Sequence, residues 1–221
     1  VVRFGCVSRF VDFLGDDSNE PLQYNAAWAL TNVACGTQAQ TRSVVDEGAV
    51  PIFARLLETG KPGLCEQVIW GLGNIAGDST QFRDLVLRSE VLQNISFHLT
   101  KEENPVSLRR NAAWALSNLC RGKNPSPEPQ LVRPALPALA VAIKDSDDEV
   151  LTDACWALSY LSDGEDENIQ AVVDTEGVCQ RLVQLLGHGN PAVVTPALRA
   201  VGNIVTGSEL HTQNVIDHSG V

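Results

Sequence analysis

The hydrophobic positions of the chain fall into short blocks spaced three and four residues apart, which is the period of an amphipathic helix. In one kind of block, apolar residues surround a central tryptophan, as Leu30 and Val33 do around Trp28. In the other kind, a glycine and small apolar residues lead to a Leu-Leu pair, as between Gly48 and Leu57. The pattern therefore predicts two amphipathic helices per unit, each with one apolar face.

The tryptophan block recurs along the whole chain. Residues 28, 70, 114, 156 and 199 begin five copies of one motif, at intervals of 42, 44, 42 and 43 residues. The copies are Trp28-Ala-Leu-Thr-Asn32, Trp70-Gly-Leu-Gly-Asn74, Trp114-Ala-Leu-Ser-Asn118, Trp156-Ala-Leu-Ser-Tyr160 and Arg199-Ala-Val-Gly-Asn203. Such a period is typical of armadillo and HEAT repeats, and a further short helix from Thr37 to Asp46 favours armadillo. We predict an all-α fold, a right-handed superhelical solenoid of about five armadillo repeats with a long concave groove.

The repeats are predicted to make up one armadillo-repeat domain over residues 1–221, with boundaries near 5–47, 48–89, 90–132, 133–175 and 176–218. The sequence contains no Met and starts at Val1, which predicts a fragment truncated at both ends. Asn104-Pro105 and Asn190-Pro191 predict helix starts, with Asn as the N-cap and Pro as the first helical residue. Glycines are predicted to follow the ends of the motif helices, at Gly36, Gly77, Gly122, Gly164 and Gly207.

Composition and charge narrow the possible partners. The chain is 44% hydrophobic and 19% charged, and its net charge of −11 disfavours nucleic acid and favours a basic peptide. None of the six cysteines forms a C-x-x-C pair, which indicates free thiols in a reducing compartment. No apolar run approaches the roughly 18 residues of a membrane span. No phosphate loop, nucleophile motif or metal-spaced cluster occurs, so we predict no enzyme, no cofactor and no metal.

The first and fifth residues of each motif lie one helical turn apart, on a face different from the apolar stripe. On the concave side of a solenoid, Trp rings would accept lysine stems, and Asn amides would bind a peptide backbone. Acidic residues nearby would complete lysine sites, and the candidates are Asp78, Asp153 and Asp163. The alternative is that the tryptophans belong to the core and the asparagines cap or bridge neighbouring helices.

The strings Trp28-Ala-Leu-Thr-Asn32, Gly73-Asn-Ile-Ala-Gly-Asp78, Leu116-Ser-Asn-Leu-Cys-Arg121 and Ala197-Leu-Arg-Ala-Val-Gly-Asn-Ile-Val-Thr-Gly207 resemble the importin-alpha family. The resemblance implies a major site that binds nuclear localisation signals. Its tryptophans and asparagines would be Trp28, Trp70, Trp114, Asn32, Asn74 and Asn118. Asp78 would receive the critical lysine with help from Gly36 and Thr41, while Gln67 and Asn111 line the same face. The ligand would run antiparallel to the repeats.

The same resemblance implies the beginning of a minor site in the last two motifs. Its residues would be Asp153, Trp156, Tyr160, Asp163, Arg199, Asn203 and Glu209. Arg199 stands where the other copies have Trp. It is expected to pair with an acid, to separate the two sites, or simply to form a salt bridge within the groove. Cys35 stands where a small hydroxyl residue is common, which would remove one polar contact.

The resemblance implies a nuclear import adaptor that shuttles between cytoplasm and nucleus and binds the basic localisation signals of cargo proteins. Importin-beta would be a partner only through the family's basic N-terminal segment, which is absent from this sequence. An alternative is an armadillo scaffold for another class of extended peptide, unconnected with nuclear import. Scaffolds of the beta-catenin kind line their grooves with Lys and Arg, whereas the residues beside these tryptophans are Asn, Gln and Asp.

Overall fold

The computed structural model describes residues 4–219, and within this range the chain is helical and has no β-strand. The predicted truncations at the two ends of the chain concern residues outside this range. The helices are α1 (Cys6–Leu14), α2 (Glu20–Ala34), α3 (Gln38–Asp46), α4 (Ala49–Leu56), α5 (Pro62–Asp78), α6 (Thr80–Arg88), α7 (Val91–Thr100), α8 (Val106–Cys120), α9 (Pro129–Val132), α10 (Leu136–Ala142), α11 (Asp148–Leu161), α12 (Asp166–Val173), α13 (Val178–Leu185), α14 (Pro191–Ile204) and α15 (Glu209–Ser219). Short 3₁₀ turns at Leu57–Thr59 and Arg133–Ala135 follow α4 and α9.

The five motif copies lie on the five long helices α2, α5, α8, α11 and α14. These helices have 14 to 17 residues, about four turns each, as the sequence predicts. Each one packs against the next in a continuous row. A short helix and a second amphipathic helix separate consecutive members of the row, as α3 and α4 do between α2 and α5. The row therefore presents the same motif face once per unit.

Local capping explains where some of the long helices begin. Pro191 is the first residue of α14, and the side chain of Asn190 caps the helix by accepting from the Ala192 N–H, as predicted. The matching prediction at Asn104-Pro105 is wrong by one residue, because α8 starts at Val106 and Pro105 is its N-cap. Asn104 is buried instead, and its Nδ2 donates to the His98 carbonyl at 2.9 Å. Its side chain thus ties the end of α7 to the start of α8.

The prediction of helix-ending glycines is right at four positions and wrong at Gly77. Gly77 lies inside α5, which continues to Asp78. A Cβ at this position would come within 3.2 Å of the Asn118 amide nitrogen, so Gly77 permits close packing of α5 against α8. The other four glycines follow the ends of their helices.

One hydrophobic core runs through the whole row of helices, from Val7 to Val215. Four of the six cysteines, all of which are free thiols, are buried in it: Cys65, Cys120, Cys155 and Cys179. Burial raises the pKa of Cys120 and Cys155 to about 12, so these thiols stay protonated. Over residues 4–219, no helix combines the length and the apolar character that a membrane crossing requires.

The boundaries between repeats that the sequence predicts, near residues 47, 89, 132 and 175, stay a prediction. Each of the four internal boundaries falls at a junction between a short helix and the helical segment that follows it, for example between α3 and α4.

Candidate peptide-binding groove

The motif tryptophans differ in how far they are exposed. Trp28 and Trp70 are 52% and 36% exposed, so they are not core residues. Trp114 and Trp156 are half-buried, and the ring of Trp114 lies over the backbone of Gly73 on the preceding long helix. Since α2, α5, α8 and α11 pack side by side, their tryptophans form a row along one face of the solenoid. This row is the aromatic lining of the candidate groove.

The motif asparagines bridge consecutive long helices. The Nδ2 atoms of Asn74, Asn118 and Asn203 donate to the carbonyl oxygens of Thr31, Gly73 and Ser159, at 3.1, 3.2 and 2.8 Å. Each acceptor directly precedes the fifth motif residue of the preceding copy. Asn32 differs because its Nδ2 donates within its own helix, to the Trp28 carbonyl at 2.7 Å. The alternative in which asparagines bridge helices is therefore realised in the structure.

Bridging leaves part of each amide available to a ligand. An Asn side chain carries two N–H donors and one carbonyl acceptor. Within residues 4–219, no hydrogen bond occupies the Oδ1 atom of Asn74, Asn118 or Asn203. Asn74 and Asn203 are half-buried, whereas Asn118 is buried. One N–H and the carbonyl of Asn74 and of Asn118 can therefore still bind a peptide backbone, so the two roles are compatible there. The Nδ2 of Asn203 also donates to the Ser162 hydroxyl at 3.5 Å, which leaves its carbonyl for a ligand.

Asp78 lies at the C-terminal end of α5, in an open recess of the groove. We call this site the Asp78 recess; its lining includes Cys35, Gly36, Asn74, Gly77, Asp78, Trp114, Asn118 and Arg121. One carboxylate oxygen, Oδ1, lies 3.3 Å from the Thr41 hydroxyl. The other, Oδ2, is buried and has no hydrogen-bond partner among the described residues. A buried carboxylate oxygen without a partner is costly, and a cation that reaches it would remove that cost.

Three further residues predicted for the groove, Thr41, Gln67 and Asn111, lie at different places along it. Thr41 is fully buried, and its hydroxyl lies 3.0 Å from the Ala34 carbonyl oxygen as well as 3.3 Å from Asp78 Oδ1. Thr41 therefore contacts Asp78 from the interior of the protein. Gln67 is half-buried and its Oε1 has no partner among the described residues. Its backbone carbonyl accepts from the Thr31 hydroxyl at 3.0 Å. Asn111, one helix further, is half-buried as well.

The part of the groove around Trp156 already contains cations from the chain itself. The Trp156 and Tyr160 rings are stacked, with centroids 5.9 Å apart. The Arg199 guanidinium lies 5.9 Å from the Trp156 ring centroid, and Arg199 Nη2 is 3.8 Å from Asp163 Oδ2. Lys123 Nζ is 2.8 Å from the same oxygen. Arg199 therefore pairs with an acid and forms a salt bridge within the groove, two of the roles considered for it.

Two further acids were predicted for this part of the groove. Asp153 is half-buried one turn before Trp156. Its burial, with a smaller contribution from the charge of Glu149, raises the pKa of Asp153 to about 6. Glu209 is exposed in the first turn of α15. Among the described residues, no cluster of His, Cys, Asp and Glu is arranged to hold a metal ion.

Sequence reasoning missed Arg83, which positions the loop after α8. Arg83 lies on α6 with a side chain that is 1% exposed. Its Nη1 donates to the Arg121 carbonyl at 2.8 Å, and its Nη2 donates to the Pro125 carbonyl at 3.0 Å. Asp84 balances its charge at 2.8 Å. Arg83 thus holds the segment that contains Lys123 in place. The only sequence signal for the burial of Arg83 is its spacing from the apolar residues of α6.

Two repeat families match the chain. The family described as "Armadillo/beta-catenin-like repeat" matches residues 1–35, 37–77 and 165–206. The family described as "HEAT-like repeat" matches residues 106–161. Together the two assignments cover all five motif copies on the long helices, in agreement with the helical repeat of the structure.

Curated relatives match along the whole chain. The chain is 53% and 54% identical over 221 residues to importin subunits alpha-1b and alpha-1a of Oryza sativa subsp. japonica. It is 50% identical over the same length to importin subunit alpha-3 of Arabidopsis thaliana. In each case the match covers 100% of this chain and 41% of the relative, so the chain spans less than half the length of these proteins.

Solved structures show the same fold. An engineered protein from the Northeast Structural Genomics Consortium superposes with a TM-score of 0.91 and 27% identity, covering 99% of this chain and 52% of that chain. A designed armadillo repeat protein in complex with the peptide (KR)4 superposes with a TM-score of 0.85 and 23% identity, covering 96% and 87%. These superpositions confirm the predicted armadillo solenoid.

Proposed function

Because the chain belongs to the armadillo/beta-catenin-like repeat family and is related throughout to importin-alpha subunits, we propose that it is a nuclear import adaptor module. In this proposal the groove binds the Lys/Arg-rich nuclear localisation signals of cargo proteins. The protein would act by binding rather than by catalysis, and it would shuttle between cytoplasm and nucleus with its cargo.

The observation that carries the proposal is the unpartnered carboxylate oxygen of Asp78. Asp78 lines the recess together with an aromatic ring, Trp114, and two motif amides, Asn74 and Asn118. A lysine ammonium is a compact cation with three donors on a flexible apolar stem. Such a side chain can place its stem against the Trp114 ring and its charge near the Asp78 carboxylate. An acidic or apolar ligand would leave that oxygen uncompensated.

The remaining motif residues would hold the ligand backbone in an extended conformation. Packed helices lie about 8–10 Å apart and an extended chain advances about 3.3 Å per residue, so two or three ligand residues span one unit. The free Oδ1 and N–H of Asn74 and Asn118 would bind one peptide group per unit. Exposed rings at Trp28 and Trp70 would add lysine contacts of about 0.5–2 kcal/mol each. The net charge of −11 would speed the arrival of a basic ligand.

A titration of fluorescently labelled Lys-Lys-Lys-Arg-Lys peptide tests the proposal. We expect wild type to bind, and Asp78→Lys to lose about 100-fold or more in affinity, because the variant puts a cation where the ligand's cation binds. Glu58→Lys is the matched control, since it makes the same change of net charge at an exposed residue of the 3₁₀ turn after α4. Thermal unfolding followed by circular dichroism verifies that both variants fold.

The outcome separates the two functions considered from the sequence. Loss of binding in Asp78→Lys but not in Glu58→Lys supports recognition of basic signals. If wild type does not bind the peptide, or if both variants lose affinity equally, the import-adaptor proposal is wrong. The chain would then be an armadillo scaffold for another class of extended peptide.

A further inference from the structure

Another open cleft lies between α2 and α5, at the N-terminal ends of the two helices. Its lining includes Pro21, Tyr24 and Asn25 of α2, and Lys61, Pro62 and Gly63 around the start of α5. The cleft has a volume of about 680 Å³, within the range of about 300–1,000 Å³ that is usual for ligand pockets. We call it the Tyr24 cleft.

Tyr24 gives the cleft an aromatic wall. It stands four residues before Trp28 and is 39% exposed. Across the cleft, a Cβ at Gly63 would have a Tyr24 ring carbon, at 4.0 Å, as its nearest neighbour. Because Gly63 has no side chain, the space beside the ring stays open. The residues at the place of Tyr24 in the later motif copies are polar, namely Glu66, Arg110, Thr152 and Thr195.

The Tyr24 cleft continues the candidate groove along α2. Tyr24 and Trp28 are one helical turn apart, so they lie on the same face of α2. Asn25 stands three residues before Trp28, the place that Gln67 has before Trp70. A ligand that contacts the exposed Trp28 ring therefore passes directly beside the cleft.

The cleft and the Asp78 recess lie at opposite ends of α5. Gly63 is the second residue of this helix, and Asp78 is its last. A ligand that crosses the long helices has the cleft along one side and the recess along the other. Successive side chains of an extended peptide point in opposite directions. One peptide can thus direct a lysine to the recess and another residue to the cleft.

The charges of the two sites select different side chains. At the cleft, Lys61 Nζ pairs with Glu20 Oε2 at 2.9 Å, so the two formal charges cancel. Two prolines and a tyrosine ring present apolar surface beside this pair. A ligand cation finds no unpaired carboxylate there, in contrast to Asp78, whereas an apolar side chain gains free energy by burial.

We infer that the Tyr24 cleft binds an apolar side chain that flanks the basic stretch of the ligand. The preferred ligand is thus a Lys/Arg-rich segment with an apolar residue next to it, rather than a basic segment alone. The inference rests on the peptide-binding function proposed above, and it adds an apolar requirement to the class of ligand.

Gly63→Leu fills the cleft without removing a native contact. Gly63 is exposed in the first turn of α5, and leucine has a higher helix propensity than glycine, so the variant keeps the fold. Gly189→Leu is the matched control. It makes the same substitution at another exposed glycine, before α14, where nothing lies within 4 Å of an added Cβ. Circular dichroism verifies that both variants fold.

Three labelled peptides measure the effect. All contain the Lys-Lys-Lys-Arg-Lys core between two flanks of three residues. One peptide has three leucines after the core and alanines before it, one has the reverse, and the third has alanines on both sides. Three extended residues span about 10 Å, the distance between neighbouring long helices, so one of the leucines reaches the cleft. The readout is the Kd of the alanine peptide divided by that of each leucine peptide, within one protein.

We expect one leucine peptide to bind wild type about tenfold more tightly than the alanine peptide, the size of partial burial of one leucine side chain. The flank that gives this ratio also gives the direction of the ligand. Gly63→Leu should reduce the ratio to about one, because its own side chain occupies the cleft. Gly189→Leu should keep the ratio of wild type.

Each outcome has one meaning. A ratio that falls in Gly63→Leu and persists in Gly189→Leu supports the inference. A ratio of one in wild type, or a ratio that Gly63→Leu leaves unchanged, overturns the inference but not the proposed function, because the alanine peptide still binds. Loss of a peptide-free dimer in Gly63→Leu, seen by analytical ultracentrifugation, makes a second copy the occupant and also overturns it. Failure of the alanine peptide to bind wild type overturns the proposed function, and the inference with it.

Discussion

Asp78 is the last residue of its motif helix and Asp163 lies two residues beyond the end of its own, and yet the two acids have opposite surroundings. Asp78 is eight residues beyond Trp70, and Asp163 is seven beyond Trp156. Asp78 keeps one buried oxygen without a partner, whereas a single oxygen of Asp163 contacts two cations. An acid near a motif tryptophan is therefore not enough to mark a lysine site. Whether the chain supplies its own cation decides between an open and a closed site.

The neighbouring units explain the difference. Arg199 is the first motif residue of the helix that follows Asp163, and the corresponding residue after Asp78 is Trp114. Lys123 stands nine residues beyond Trp114, and the residue nine beyond Trp28 is Thr37. The position that supplies a cation on each side of Asp163 thus holds an uncharged residue on each side of Asp78. The loop after α8 is also longer, with residues 121–128 between α8 and α9, and Arg83 anchors it.

The largest expected change in stability comes from removing the hydrogen bonds by which Arg83 holds the loop after α8. Arg83→Met should lower the free energy of unfolding by about 3 kcal/mol, because it removes the hydrogen bonds to the Arg121 and Pro125 carbonyls and leaves the partly exposed Asp84 carboxylate without its partner. Urea unfolding measures the change. Arg88→Met is the control on the same helix, where a 62% exposed side chain pairs with Glu128 and should cost at most about 1 kcal/mol. Equal effects of the two variants would show that Arg83 does not hold the loop.

Neutralising each aspartate tests the comparison directly. Asp78→Asn should weaken binding of the Lys-Lys-Lys-Arg-Lys peptide by about 2 kcal/mol, the value of a hydrogen bond to a charged group. Asp163→Asn should change the affinity by less than about twofold, because Lys123 and Arg199 already neutralise this acid. Isothermal titration calorimetry measures both. A larger loss in Asp163→Asn would reverse the assignment of open and closed sites.

Truncation of a tryptophan should have opposite consequences in the two regions. Trp28→Ala should reduce peptide affinity by about 1–2 kcal/mol, since its exposed ring is available to a lysine stem. It should leave the melting temperature nearly unchanged. Trp156→Ala should instead lower the melting temperature, because it removes the stack with Tyr160 and the contact with Arg199. A loss of affinity in Trp156→Ala as large as in Trp28→Ala would contradict a closed site.

The smallest effect is a pH dependence at Asp153. Its pKa of about 6 lies above the unfolded value of 3.8, so the folded state favours the protonated acid. The associated stability is present below about pH 4 and is lost as the pH rises through 6. Asp153→Asn should therefore match wild type at pH 4 and be more stable by about 1 kcal/mol at pH 7.5, allowing for partial exposure. Stability curves from urea unfolding across this range, compared between the two proteins, test the sign.

Much of the candidate site follows from sequence periodicity and family resemblance. The motif fixes which residues share a helix face, because positions one turn apart on an α-helix must lie together. It therefore places Trp28 beside Asn32, and Trp70 beside Asn74, on one face of each helix. The roles of the asparagines could not be assigned in this way. Their bonds to Thr31, Gly73 and Ser159 depend on the distance between consecutive helices, and that distance is set by packing.

The sequence by itself determined the helices, their repetition and the acidic, tryptophan-lined character of the groove, because these depend on local spacing and composition. Only the tertiary structure showed that Gly77 lies within its helix, that one oxygen of Asp78 is buried without a partner among the described residues, and that Asp163 is already paired. The partners of Asp163 lie 40 residues before it and 36 after it, on different helices. Contacts between repeats have no signature in local spacing, and so the distinction between the open acid and the closed one exists only in the folded chain.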